Sequence, residues 1–150
     1  MRSMLELTKL AKESGVSLHT AALAMDSEAT GVSVDEIFDL ISLRLKDMRR
    51  SAEEAAANTN PCRLVSPAGP VLRKYSDCGG ICGTFLLRAS ATALEVASYN
   101  ASMGRIVAAP TAGSCGILPG MLFAWEEFYG KDEADKDGKL TEALVVAGAV

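Results

Sequence analysis

The sequence predicts an all-α, helical bundle-like fold, and three observations carry that reading. Apolar residues recur at spacings of three and four along most of the chain, the period of one helix face. Ser-x-x-Glu pairs precede those stretches and glycines follow them, as helix starts and stops do. The composition is aliphatic and alanine-rich, 49% hydrophobic but only 5% aromatic, and small side chains let helices approach closely.

Ser3-x-x-Glu6 forms a capping box ahead of Leu5, Leu7, Leu10 and Ala11, and Gly15 closes that helix. A second helix covers residues 17–30, with Leu18, Ala21, Ala22, Met25 and Ala29 on its apolar stripe and Gly31 after it. Ser33-x-x-Glu36 opens a long third helix, striped by Val34, Ile37, Phe38, Ile41, Leu45 and Met48. Its basic run, Arg44 to Arg50, reads as a solvated face. The helix extends through residues 51–57 until Asn58-Thr59-Asn60-Pro61 stops it. Residues 1–58 thus form a helical layer. In it His19, the single histidine, reads as a surface or packing residue rather than a base.

Residues 59–83 are rich in proline and glycine and read as a loop, with at most a turn of structure at 71–75. Loops of this length inside a domain are often functional. Helix resumes at Thr84 and runs to Met103, with Phe85, Ala89, Ala93, Val96 and Ala97 inward and Gly104 as its stop. After a loop at 105–120 comes an amphipathic helix with Met121, Leu122, Trp125 and Phe128 inward, and Glu126 and Glu127 outward. Residues 131–139 are a charged surface loop, and a last helix starts near Leu140. It stays apolar to Val150, so the polypeptide is expected to continue or to be covered there by another chain.

The 150 residues suffice for one domain or half of a larger one. A formal net charge of −4 excludes long-range attraction to nucleic acid or to an anionic membrane. No apolar run reaches the ~18 residues needed to span a bilayer, and the N-terminus lacks a secretory apolar stretch. A cytoplasmic location is expected, with Cys62, Cys78, Cys82 and Cys115 as thiols or metal ligands rather than disulfides.

The loop Thr111-Ala-Gly-Ser-Cys-Gly116 precedes a helix and has the parts of a small-anion site. Glycines admit a ligand close to the backbone, N–H groups at a helix start favour negative charge, and Thr111 and Ser114 add hydroxyl donors. A carboxylate fits; the patterns for a dinucleotide or a nucleoside triphosphate are absent. The other reading is a tight interhelical turn, with glycines for packing and Ser114 as a cap. The cysteines likewise admit three readings: unligated thiols, a metal site drawing on Cys78-x-x-x-Cys82 with Cys62 and Cys115, or a nucleophile at Cys115.

The stretch from Asn100 to Gly120 contains N-A-x-M-G, A-P-T-A-G-S-x-G and L-P-G in order. It resembles the α-chain, or catalytic domain, of bacterial iron–sulfur-dependent L-serine dehydratases. The likeness covers the whole chain and is specific over residues 95–123. It implies a mostly helical domain that converts L-serine to pyruvate and ammonia without pyridoxal phosphate. It also implies a [4Fe–4S] cluster held by three cysteines, whose open iron is the Lewis acid that makes the β-hydroxyl a better leaving group. Thr111, Ala112, Gly113, Ser114 and Asn100 would hold the substrate carboxylate, with Gly116 allowing its close approach. The catalytic base is not identified. The family's cluster segments, of the G-C-Q and C-D-P-V type, are absent here. The ligands are therefore expected outside this chain, in a missing C-terminal half, with a smaller β chain or domain as a further partner. This chain alone is then expected to be inactive. The other classes are a helical interaction module without chemistry and a metal-binding module using its own four cysteines.

Overall fold

A computed structural model describes residues 3–58 and 65–149. Among these residues there is no strand. The helices are α1 (Met4–Ser14), α2 (Leu18–Thr30), α3 (Val34–Ala57), α4 (Ala68–Ser76), α5 (Thr84–Ala101), α6 (Ile117–Phe128) and α7 (Lys136–Ala149), with a short 3₁₀ turn at Ala112–Ser114. The all-α expectation holds. No helix of the described residues is long and apolar enough to cross a membrane. The chain forms two compact units, Met1–Leu45 with Asp135–Val150, and Lys46–Ala134. The layer read as 1–58 is therefore divided within α3, and α7 belongs with the N-terminal helices. Local patterning fixes where a helix starts; it carries no information on which distant helix covers its apolar face.

The first unit is built as the caps dictate. Ser3 and Glu6 bond reciprocally, Glu6 N to Ser3 Oγ at 3.3 Å and Ser3 N to Glu6 Oε2 at 3.0 Å. Ser33 and Glu36 repeat the arrangement at 3.3 and 3.2 Å. Gly15 and Gly31 end their helices at φ of 66° and 73°, left-handed values that glycine adopts without Cβ strain. Leu7, Ala11, Ala21, Ala22, Leu23 and Val145 are the buried core, flanked by Ile37, Phe38 and Ile41. Within α7, Leu140, Leu144 and Val145 are buried in this unit, whereas Ala143, Ala147 and Gly148 are exposed.

The second unit is organised around α5, which packs on both α4 and α6. Two partners demand two buried faces. Ala91 and Glu95 meet Gly69 of α4, while Ala89 and Ala93 meet Gly120 and Gly116 at the start of α6. The single inward stripe expected for α5 is corrected accordingly: Leu87, Ala91 and Glu95 are buried, and Phe85, Ala93 and Ala97 only half so. The stretch read as a loop at 59–83 contains α4. Pro67 is its N-cap and Pro70 lies in its first turn, where no intrahelical N–H partner is lost, so the prolines begin this helix rather than break it. On α6, Met121 and Phe128 are exposed. Glu126 is not turned outward, because it receives Arg49 Nη1 at 2.6 Å.

Candidate functional site

The segment between α5 and α6 is held at both ends. At its start, Gly104 N donates to Tyr99 O at 2.8 Å and Met103 N to Asn100 O at 3.0 Å. Met103, not Gly104, takes the left-handed conformation, at φ 66°. Gly104 is needed for a different reason: a Cβ there would lie 2.4 Å from the Tyr99 ring. Arg105 O then accepts from the Ser51 hydroxyl of α3 at 2.9 Å. At the far end Gly116 is buried, and a Cβ on it would sit 2.1 Å from Ala93 O.

The turn Thr111–Ser114 closes on itself. Thr111 N donates to Ser114 Oγ at 3.3 Å, Ser114 N to Thr111 O at 3.2 Å, and the two hydroxyls lie 3.0 Å apart. Asn100, on the last turn of α5, donates from Nδ2 to Ala112 O at 3.2 Å. The structure therefore brings Asn100, Thr111, Ala112, Gly113 and Ser114 into one place. Thr111, Ala112 and Gly113 present an exposed face, and Ser114 is half-buried. Gly116 stands apart, with its bare Cα against α5. Its absence of a side chain serves helix packing, as the turn reading anticipated, rather than the approach of a ligand. Ser114 is the N3 partner of Thr111, the cap of the 3₁₀ turn, and it does not cap α6, whose N-cap is Gly116 without a side-chain bond.

The other candidates do not converge here. His19 lies in the first unit, 3.1 Å from Ser17 Oγ and 3.5 Å from Glu142. Cys78 and Cys82 are exposed free thiols. Cys115 is packed with Ala55 and Val96, and burial pushes its thiol up, away from the thiolate a nucleophile or ligand needs. Cys62 lies outside the described residues. Among the described residues no three of His, Cys, Asp and Glu gather as a metal ion requires. The described residues therefore do not fit an iron–sulfur cluster, and Cys78, Cys82 and Cys115 do not gather as a cysteine metal site would.

One support of the loop was not found from sequence. Tyr99 Oη donates to Glu54 Oε2 at 2.7 Å, and Glu54 also accepts from Arg50 Nε at 2.8 Å. These bonds hold the Glu54 carboxyl below its usual range, Arg50 contributing more than Tyr99, and hold the Tyr99 phenol above its own. The Arg50–Glu54 spacing was readable as a helix pair. Their partner on α5 was not, because it is 45 residues away.

Residues 9–150 match the family model described as serine dehydratase alpha chain. The chain is 31% identical over 140 residues to the L-serine dehydratase alpha chain of Peptoniphilus asaccharolyticus, covering 91% of this chain and 48% of that protein. It is 30% identical over 128 residues to the probable L-serine dehydratase alpha chain of Bacillus subtilis, covering 84% and 43%. The L-serine dehydratase of Streptomyces coelicolor is 29% identical over 149 residues, 97% of this chain and 32% of that one. The chain thus spans about half the length, or less, of these relatives. No solved structure matches it.

Proposed function

The chain belongs to the serine dehydratase alpha chain family, and on that premise we propose that it supplies the substrate-carboxylate loop of an L-serine ammonia-lyase, which forms pyruvate and ammonia. The observation that carries the reading is the Asn100 Nδ2 bond to Ala112 O beneath an exposed Thr111–Gly113 face. A trans peptide points its C=O and N–H in opposite directions. With Ala112 O held by Asn100, we place the Gly113 N–H on the opposite side of that peptide, toward the open face. That N–H and the Thr111 hydroxyl then receive a carboxylate, with Ser114 holding Thr111 in place. Fixing the carboxylate aligns the Cα proton and the β-hydroxyl for elimination.

When bound, the [4Fe–4S] cluster would supply the Lewis acidity for hydroxide loss. We assign its ligands to residues other than those described here, together with the remainder of an alpha chain and a β-chain partner. The exposed thiols of Cys78 and Cys82 suit a reducing cytoplasm.

The test uses the whole polypeptide carrying this chain, prepared anaerobically with its β partner, iron and sulfide. L-serine-dependent pyruvate is expected. Thr111→Val should raise KM about 10- to 100-fold, the loss of a hydrogen bond to a charged group, and Asn100→Ala, which loses only the neutral bond that orients the Ala112–Gly113 peptide, about 3- to 10-fold. Absence of pyruvate, or an unchanged KM in both variants, overturns the proposal. Turnover of L-cysteine or L-threonine in preference to L-serine would transfer the loop to a different β-substituted amino acid.

A further inference from the structure

A second polar site lies in the Lys46–Ala134 unit, in a cleft of about 320 Å³ lined from α3, α4, α5 and α6. Three arginines line it, Arg49, Arg73 and Arg88, each from a different helix. Two are matched by shielded acids. Arg73 donates from Nε and Nη2 to the buried Glu95 at 2.9 and 2.5 Å, and from Nη2 to Thr92 Oγ1 at 3.0 Å. Arg49 donates to Glu126 at 2.6 Å and lies 4.9 Å over the Phe123 ring.

Arg88 is different. Its side chain is only 22% exposed, yet its acids stand at the solvent edge, Asp77 at 63% and Glu127 at 46%. Asp77 Oδ1 takes Nη2 at 2.7 Å. Glu127 Oε1 is 3.7 Å from Nε, beyond hydrogen-bond reach. The Nε–H is buried and has no hydrogen-bond partner. A buried charged donor left unmatched is costly, and the cost is recovered only by an acceptor placed against it. The Nε and Nη edge of a guanidinium matches the two oxygens of a carboxylate or phosphate. Thr92 lies one helical turn from Arg88. Its oxygen is taken by Arg73, which leaves its own O–H to donate.

We propose that this cleft binds a small oxyanion, a carboxylate or a phosphate, on Arg88 Nε and Nη with the Thr92 hydroxyl as third donor. The ligand would displace the loosely held Glu127 from Nε. Ala52, Ala56 and Phe123 form the apolar part of the wall. Glu53 and Glu127 remain beside it and disfavour a large polyanion. The site shares no residue with the Asn100–Ser114 loop and stands or falls independently of the function proposed for that loop.

The test is a titration of the full chain, ¹⁵N-labelled, with inorganic phosphate and separately with succinate. Ionic strength is held with chloride. Saturable shifts are expected at Arg88, Thr92 and Phe123 for at least one of the two, and the tighter one identifies the anion class. Arg88→Gln should weaken that binding at least about tenfold, whereas Lys74→Gln, on the exposed side of α4, should leave it unchanged. Should Arg88→Gln lose its thermal transition, Thr92→Val serves in its place, with about threefold or greater weakening expected. Shifts that stay linear in both salts, or the same Kd in wild type and in the folded variant, overturn the proposal.

Discussion

Gly116 is the position where one hydrogen in place of a side chain decides most. The atoms nearest an added Cβ are Ala93 backbone, at 2.1 to 2.8 Å, and a backbone buried in a helix pair cannot turn aside. Gly113, three residues earlier, meets nothing nearer than Thr111 Oγ1 at 3.8 Å. The two glycines of one motif therefore part company. Gly116→Ala should cost about 1–3 kcal/mol through overpacking, and Gly113→Ala should stay within about 0.5 kcal/mol of wild type. Urea midpoints on both variants check this. Equal effects would mean that Gly116 is not the contact point of α5 and α6.

Among elements, α5 is the one whose C-terminal end carries the site. Its C-terminus shows how a helix stop can be misread: Gly104 has the residue type of a left-handed cap, but Met103 occupies the conformation. Met103 is also 94% exposed, so packing does not repay the strain. A non-glycine residue in this region costs about 1–2 kcal/mol, part of which glycine would give back through its freer unfolded chain. Met103→Gly should therefore stabilise the chain by about 0.5–1 kcal/mol, seen as a higher thermal midpoint. A lower midpoint would show that the Met103 side chain holds the loop. The N-terminal helices carry no such conflict at their ends, since in α1 and α2 the cap residue and the terminal glycine agree; their stripes shift by single residues, Leu5 and Ala29 being exposed and Leu23 buried.

At the scale of the whole molecule, stability should have a limb on each side of neutrality. Glu36 is held below the usual carboxylate range by the side chain and then the backbone of Ser33, and Glu54 by Arg50 and then Tyr99. Each contributes stability that is present above its unfolded pKa, about 4.3, and lost as pH falls through the lower folded value. Tyr99 is held above its ordinary value by its bond to Glu54, and Cys115 by burial. Their contributions are present below their unfolded values, about 10 and 8.5, and lost as pH rises through the raised folded ones. The urea midpoint should be flat from about pH 5 to 8 and fall on both sides. Tyr99→Phe should shallow both limbs, because it removes one shift and weakens another; a profile superimposable on wild type would refute the coupling.

A single sequence speaks about local structure. Caps, stripes and stops are set by residues within a turn or two of each other, so α1, α2 and α3 were legible almost to the residue. The Asn100–Gly120 motif was legible as well, because it depends on side-chain types in strict order. Tertiary structure decided which residues of that motif face solvent and which face a helix. It made Pro70 a helix starter by giving Gly69 a place against Glu95. It buried Cys115, turned Glu126 inward to Arg49, and gathered Arg49, Arg73 and Arg88 from three helices into one cleft. Each of those outcomes depends on contacts between segments tens of residues apart, and such contacts leave no periodic trace in a single sequence.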